Sequence, residues 1–140
     1  MEMRVLVFVV LGAILGAASW AQAQEAAVDA DTKTVCAEAE ERFAAAGGKK
    51  EPGRVTVLMY KYRFCPPNVT VKTGTIVRWV NVDKRTSHSV WLKDAGQPES
   101  PRMFNLEFYE FPFAAPGKYP YLCGPHWDQE KMVGHVTVTP

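Results

Sequence analysis

From residue 54 onward, apolar and polar residues alternate in short runs that turn-forming residues separate. The runs are rich in valine, threonine and aromatic residues and read "RVTVLMYKYRF", "NVTVKTGTIVRWVNV", "HSVWL", "FNLEFYEFPFAAPGKYPYLC" and "VGHVTVTP". Val69 and Val71 alternate with polar neighbours, as strands with one buried face do. Such spacing predicts an all-β fold, an antiparallel sandwich or barrel. Pro112 and Pro120 cannot donate to a strand ladder, so we expect them at sheet edges or bulges.

Residues 24–53, which precede the strands, show helical periodicity instead. The side chains that recur at helical spacing are Val35, Ala39, Phe43 and Ala46. The candidate N-cap residues are Asp31, Thr32 and Thr34. Gly47 and Gly48 end the pattern, since glycine adopts the left-handed cap conformation at little cost. Because Phe43 is the one large apolar side chain of this face, we expect a short extra helix packed on the outside of the domain.

The first 23 residues have the layout of a secretory signal peptide. A short front with one basic residue, Arg4, is followed by "VLVFVVLGAILGAA" and then by "AQA" at the cleavage spacing. The apolar run is shorter than the ~20 residues of a membrane-spanning helix. The pattern therefore predicts cleavage after Ala23, export to the periplasm and no membrane span in the mature form. It divides the chain into a signal peptide (1–23), an N-terminal extension (24–53) and a β domain (54–140).

The formal charge of the chain is +1, with 16 basic and 15 acidic residues. No block of like charges occurs, so nothing electrostatic points to a nucleic acid or to a strongly acidic partner. The length of 140 residues suits one compact domain after removal of the leader.

The stretch "YPYLCGPHWDQEKMVG" places a Cys, a His and a Met within ten residues. Cys123 ends a strand-like run, His126 follows a Gly-Pro turn, and Met132 precedes the last strand. His88 opens another apolar run far upstream. Two imidazoles, one thiolate and one thioether are the ligand set of a trigonal copper site with a weak axial Met.

Other interpretations of these residues remain open at this level. Zinc would accept Cys123, His88 and His126, with Asp128 rather than the thioether as its fourth ligand. A nucleophilic Cys with a His base also fits the residue types, but leaves Met132 and the second His without a role. Each residue alone is more commonly structural, and it is the combination that favours copper. His135 alternates with buried valines, so we expect it to face outward and not to be a ligand.

Together, "GKYPYLCGPHWDQEKMVGHVTV" and "TVKTGTIVRWVNVDKRTSHSV" resemble the small blue copper proteins, the cupredoxins. The similarity is greatest to the plastocyanin, pseudoazurin and amicyanin branch and covers roughly residues 54–140. It implies a Greek-key β-sandwich, one type 1 copper ion that alternates between Cu(I) and Cu(II), and electron transfer between larger redox proteins rather than enzymatic catalysis.

The resemblance implies that the copper ligands are His88, Cys123, His126 and Met132. It also implies that the backbone N–H of Ser89 points at the Cys123 sulfur. Five residues separate His126 from Met132, one more than in the plastocyanin and pseudoazurin pattern, which lengthens the ligand loop.

The function predicted from these residues is that of a monomeric, diffusible electron carrier. The alternative is copper delivery or storage by the same fold, but the five Met and three His show no cluster beyond the site. We expect donor and acceptor proteins to dock transiently near His126, with Trp127 and Pro125 as an apolar collar. The contrary interpretation of Trp127 is that it packs into the core, as tryptophan commonly does.

With Cys123 assigned to copper, Cys36 and Cys65 remain. In an exported protein we expect them to form a disulfide that pins the extra helix, although two unpaired thiols are the alternative.

Overall fold

The computed structural model describes residues 20–140, with side chains described from residue 30 onward. The strands and helices in this part of the chain are, in order, α1 (Trp20–Ala45), β1 (Arg54–Tyr60), β2 (Arg63–Cys65), β3 (Asn68–Lys72), β4 (Ile76–Asn81), a 3₁₀ turn (Lys93–Ala95), β5 (Phe108–Pro112), β6 (Gly117–Leu122) and β7 (Val133–Thr139). The predicted all-β Greek-key sandwich with an added helix is confirmed.

The strands form two sheets, with the orders β2-β1-β4-β5 and β3-β7-β6. The sequence predicted antiparallel pairing, but β1 lies parallel to β4 and β3 lies parallel to β7. Parallel neighbours need a crossover connection. The chain supplies one by changing sheets between β2 and β3, which the spacing of strands along the sequence does not reveal.

The main core lies between the sheets and is built around Trp79 of β4. The centroid of its ring lies 5.2 Å from that of Tyr121, and the ring centroid of Phe64 lies 4.7 Å from that of Tyr121. Tyr121 and Cys123 are buried, and Tyr119 packs against the same core, so the predicted inward face of β6 is confirmed. This face ends at the Cys123 thiol.

Prolines lie at the sheet edges, as predicted. Pro112 belongs to β5 and Pro120 to β6, and each of these strands is the last in its sheet. The expected strand "HSVWL" is not formed. It makes two isolated antiparallel bridges instead, from His88 to Met103 and from Trp91 to Leu122.

Helix α1 begins further N-terminal than the cap residues predicted. Thr34 lies inside the helix, where its hydroxyl donates to the Ala30 carbonyl. The predicted end is confirmed, because Gly47 has a φ of 76° and its N–H bonds the Ala44 carbonyl. No helix among residues 20–140 combines the length and the apolar character needed to span a bilayer. Most of the predicted signal peptide, residues 1–19, lies outside the described residues.

The helix packs on the outer face of β1 and β2, as expected. Val35 and Ala39 are buried against a second, smaller cluster that includes Leu58 and Val80, and Phe43 packs at its border. The predicted disulfide between Cys36 and Cys65 is present, with the two Cα atoms 5.1 Å apart, so the alternative of two free thiols is wrong. The bridge attaches the helix covalently to the end of β2.

Candidate metal centre

Cys123 reaches the site because it continues the inward-facing positions of β6. The residue is fully buried, and it is the free cysteine among the residues described. Its backbone N–H donates to the Met132 carbonyl over 3.1 Å, where the loop from β6 returns to β7. The thiol is therefore fixed at the base of this loop.

His126 is held by the turn that follows Cys123. Its backbone N–H donates to the Cys123 carbonyl over 3.0 Å, and its own carbonyl accepts from the N–H of Met132 over 3.2 Å. These bonds place the imidazole Nδ1 atom 3.3 Å from Cys123 Sγ. The side chain is half-buried, so one edge of the ring is accessible to solvent.

His88 comes from a segment 35 residues before Cys123 in the chain and is fully buried. Two backbone hydrogen bonds with Met103, of 3.1 and 2.8 Å, hold it beside the edge of the sandwich. Its Nδ1 lies 3.8 Å from Cys123 Sγ, and its Nε2 lies 3.2 Å from Asp83 Oδ2. In this arrangement Nε2–H donates to the carboxylate, which leaves the Nδ1 lone pair facing the thiol.

The ligating atoms of His88, Cys123 and His126 all lie within 4.8 Å of one another. Donor bonds of about 2.0–2.3 Å to one ion put nitrogen and sulfur atoms about 3–4 Å apart, so the spacing fits a shared metal. Burial lowers the pKa of both imidazoles, against the opposing effect of Asp83 on His88, which favours the neutral rings that a metal requires. Burial raises the pKa of the Cys123 thiol, so binding a metal must release a proton.

One thiolate and two imidazoles in a buried cluster suit copper. A structural zinc site has four protein ligands, and the fourth candidate from the sequence, Asp128, lies outside the cluster with its side chain 75% exposed beside Lys131. His135 is also outside the cluster, as predicted. Met132 is fully buried in the same core cluster as Cys123, at the end of the ligand loop.

The predicted hydrogen bond to the cysteine sulfur is present. The backbone N–H of Ser89 donates to Cys123 Sγ over 3.4 Å. Pro125, which follows two residues after Cys123, has no N–H to offer. A hydrogen bond to a thiolate withdraws charge from it, so the number of such donors sets how strongly the sulfur stabilises an oxidised metal.

Sequence reasoning missed residues that contact the site from distant segments. Tyr62, in the turn between β1 and β2, lies edge-on to both imidazoles, with ring centroids 4.9 Å from His126 and 6.2 Å from His88. Asp83 lies five residues before His88, and this short spacing is the signal that was available for it. No sequence pattern pointed to Tyr62.

The surface beside His126 is apolar. Trp127 is 46% exposed, so the interpretation that it packs into the core is wrong. Pro125 is exposed next to it, and Val133 at the far end of the ligand loop is 50% exposed. The two chain neighbours of His126, Pro125 and Trp127, are therefore both apolar and exposed.

Comparisons with known proteins agree with this geometry. Residues 53–139 match the family model of copper-binding proteins of the plastocyanin/azurin family. Amicyanin-alpha of Methylorubrum extorquens is 33% identical over 78 residues, which are 53% of this chain and 65% of that protein. The chain thus spans about 65% of the length of the curated relative it matches.

Solved structures of amicyanin resemble the fold. An oxidised methionine-to-leucine mutant is 28% identical, with a TM-score of 0.56 over 65% of this chain and 87% of that one. A Cu(I) methionine-to-glutamine mutant is 29% identical, with a TM-score of 0.56 over 64% of this chain and 85% of that one. Since the family model covers more than half of the residues, this chain belongs to the plastocyanin/azurin family of copper-binding proteins, and its cofactor is one copper ion.

Proposed function

We propose that this protein is a periplasmic blue copper protein that carries single electrons between larger redox proteins. The observation that supports it most is the meeting of His88, Cys123 and His126, whose ligating atoms lie within 4.8 Å of one another, with the first two residues buried and His126 half-buried. In the proposal these three residues hold the copper, and Met132, which is fully buried at the end of the same loop, is the weak axial ligand.

Bound copper would supply a one-electron couple between Cu(I) and Cu(II). The contribution of the chain is a set of ligands that need not move when the electron passes. Asp83 orients the His88 ring, the Ser89 N–H restrains the Cys123 sulfur, and backbone bonds at both ends restrain the loop that carries His126. Such preorganisation keeps the reorganisation that accompanies each transfer small.

Electrons would enter and leave through the half-buried ring of His126. With Nδ1 directed at the site, Nε2 is the ring atom that faces outward. In the proposal, the exposed side chains of its chain neighbours Pro125 and Trp127 provide an apolar docking surface beside it. A small apolar patch of this kind permits brief encounters with little desolvation of charge, as transient redox complexes require.

We further propose the processing and organisation of the chain. Residues 1–23 would be removed on export to the periplasm, residues 24–53 would form the helical extension, and residues 54–140 would form the copper domain, which would act as a monomer. The disulfide between Cys36 and Cys65 supports an oxidising compartment. Cleavage after Ala23 would leave α1 intact from residue 24 onward.

The experiment that tests the function is a visible and EPR spectrum of the Cu(II)-loaded protein, followed by measurement of electron self-exchange. We expect an intense thiolate-to-copper band, a narrow copper hyperfine splitting and rapid exchange without metal loss. A colourless protein that retains zinc in preference to copper would contradict the proposal. A blue protein that surrenders copper readily to a competing chelator would instead indicate delivery or storage.

A further inference from the structure

A single buried residue, Ser89, joins the two segments that carry the candidate copper ligands. It follows His88 directly, and its backbone N–H donates to Cys123 Sγ over 3.4 Å. Its hydroxyl oxygen accepts from the N–H of Gly124, the residue after Cys123, over 3.0 Å. The same hydroxyl donates to Glu99 Oε1 over 2.6 Å.

The carboxylate of Glu99 lies directly over Gly124. A Cβ atom built on Gly124 would overlap the carboxylate, so only glycine leaves room for Glu99 in this position. Backbone and side-chain bonds between Val90 and Ser100, each of 2.9 Å, hold the segment of Glu99 against that of Ser89. Although Glu99 is exposed overall, its carboxylate is thus held beside Ser89 by this hydrogen bond and by the pairing of the two segments.

A serine hydroxyl donates one hydrogen bond, and the position of the acceptor fixes the direction of its O–H. That direction in turn determines where the oxygen lone pairs can accept hydrogen bonds. With the proton directed at Glu99, the lone pairs of Ser89 face the Gly124 N–H. A hydrogen bond to a carboxylate is also about twice as strong as one between neutral groups. Loss of Glu99 would therefore loosen the link between the two ligand segments without removing any ligand.

We propose that Glu99 is a positioning residue of the copper site, which acts through Ser89 and rests on the copper function proposed above. Its carboxylate locks the Ser89 hydroxyl against Gly124 and places a negative charge over Gly124, the residue that follows the Cys123 thiolate. The charge favours Cu(II), the more positive oxidation state, and so lowers the reduction potential. The residue types and spacing of the four candidate ligands do not by themselves predict a role for Glu99.

The first test is the reduction potential of the copper-loaded Glu99→Gln variant. The amide oxygen still accepts from Ser89, but the charge is gone, so we expect the Cu(II)/Cu(I) equilibrium to move toward Cu(I) by roughly threefold to tenfold. A tenfold change corresponds to about 59 mV for one electron. An unchanged potential in a folded, blue variant would overturn the proposal.

The matched control is Glu130→Gln, which removes an exposed charge that acts on His126 but makes no contact with Ser89. We expect a smaller shift, because a solvated charge without a hydrogen bond is screened. A shift equal to that of Glu99→Gln would reduce the role of Glu99 to charge at a distance. A double-mutant cycle with Ser89→Ala makes the same distinction, because effects that add independently would exclude action through Ser89.

The second test needs no copper. In the metal-free, reduced protein, hydrogen exchange of the Gly124 amide reports its bond to Ser89. We expect exchange to accelerate roughly threefold to tenfold in Glu99→Ala and to stay within about twofold of the native protein in Glu99→Gln. Equal exchange in all three proteins would refute the locking role. If the native protein were not blue with copper, the proposed function would fail, and this measurement would still decide whether Glu99 positions Ser89.

Discussion

The copper end of the sandwich, which carries His88, Cys123, His126 and Met132, is held together by interactions of a different kind from those that attach helix α1. At the copper end, hydrogen bonds join segments far apart in the chain, such as those that link Ser89 to Cys123 and to Gly124. Helix α1 relies on a small apolar cluster and one disulfide, and its ion pairs, such as that of Lys61 with Glu38, are solvent-exposed and contribute little. The family match, which begins at residue 53, includes the first region and not the second.

The two regions are neighbours nonetheless. Arg63 of β2 lies 3.3 Å from Asp31 of the helix and donates over 3.3 Å to the Glu130 carbonyl of the ligand loop. The different interactions of the two regions lead us to expect different roles. The β domain would hold the metal by itself, and the helix would increase the stability of the fold. Substitutions on each side test whether stability and copper chemistry separate in this way.

The largest effect is expected from Cys123→Ser. A hydroxyl cannot replace the thiolate donor, so the blue absorption should disappear entirely. The metal-free protein should keep its fold, with a free energy of unfolding within about 1–2 kcal/mol of the native value. Absorption and circular dichroism spectra measure both quantities. Full retention of the blue band would show that Cys123 is not the ligand.

Removal of the disulfide should lower the stability of the protein and leave its copper spectrum unchanged, the reverse of what we expect for Cys123→Ser. The bridge closes a loop with a sequence separation of 29, and such a loop is worth about 3–4 kcal/mol in the chain-entropy model. The double variant Cys36→Ala and Cys65→Ala should therefore unfold at a temperature lower by roughly 10 °C. Its copper spectrum should match that of the native protein. Loss of the blue band in the folded variant would mean that the two regions are coupled.

Met132→Leu should affect the copper end more mildly than loss of the thiolate. The axial bond is weak, so the variant should stay blue, while loss of the sulfur donor should raise the reduction potential by about 59 mV or more. Voltammetry of the two proteins measures the change. An unchanged potential, or loss of copper altogether, would rule out a weak axial ligand at position 132.

The metal-free copper end should also respond to pH near neutrality. Burial lowers the pKa of His88 and of His126 in the folded protein, whereas an unfolded imidazole titrates at about 6.5. Below this pH the unfolded chain binds more protons than the folded one, so the free energy of unfolding should decline as the pH falls from 7 to 5. Denaturant titrations at several pH values measure it, and the decline should be smaller in His88→Asn. A flat profile would contradict the burial of neutral histidines.

The smallest structural effect is expected from Trp127→Lys. Spectrum and stability should stay close to native, while electron self-exchange slows roughly tenfold at low salt, because the added lysine charges of two molecules would have to approach each other. Leu106→Lys is the matched control, since Leu106 is also 46% exposed but belongs to the loop before β5. Equal rates in Trp127→Lys and the native protein would exclude docking at the His126 face.

Local patterns in the sequence determined much of this protein. Period-two alternation predicted the strands, and the residue types between Cys123 and Met132 predicted a copper site, because these side chains are close in the chain and need only a turn to meet. The left-handed end of α1 at Gly47 was predicted for the same reason, since a helix cap depends on its own few residues. The pairing of Cys36 with Cys65 was expected once Cys123 was assigned to copper and export to an oxidising compartment was predicted.

The tertiary structure alone decided which distant groups support these residues. Parallel pairing of β1 with β4 depends on where the chain changes sheets. Tyr62 reaches His126 only because the turn after β1 folds toward the ligand loop. Glu99 reaches Ser89 only because Gly124 leaves space above it. These contacts depend on packing between segments far apart in the chain. The residue pattern within one segment does not indicate which distant segment will pack against it.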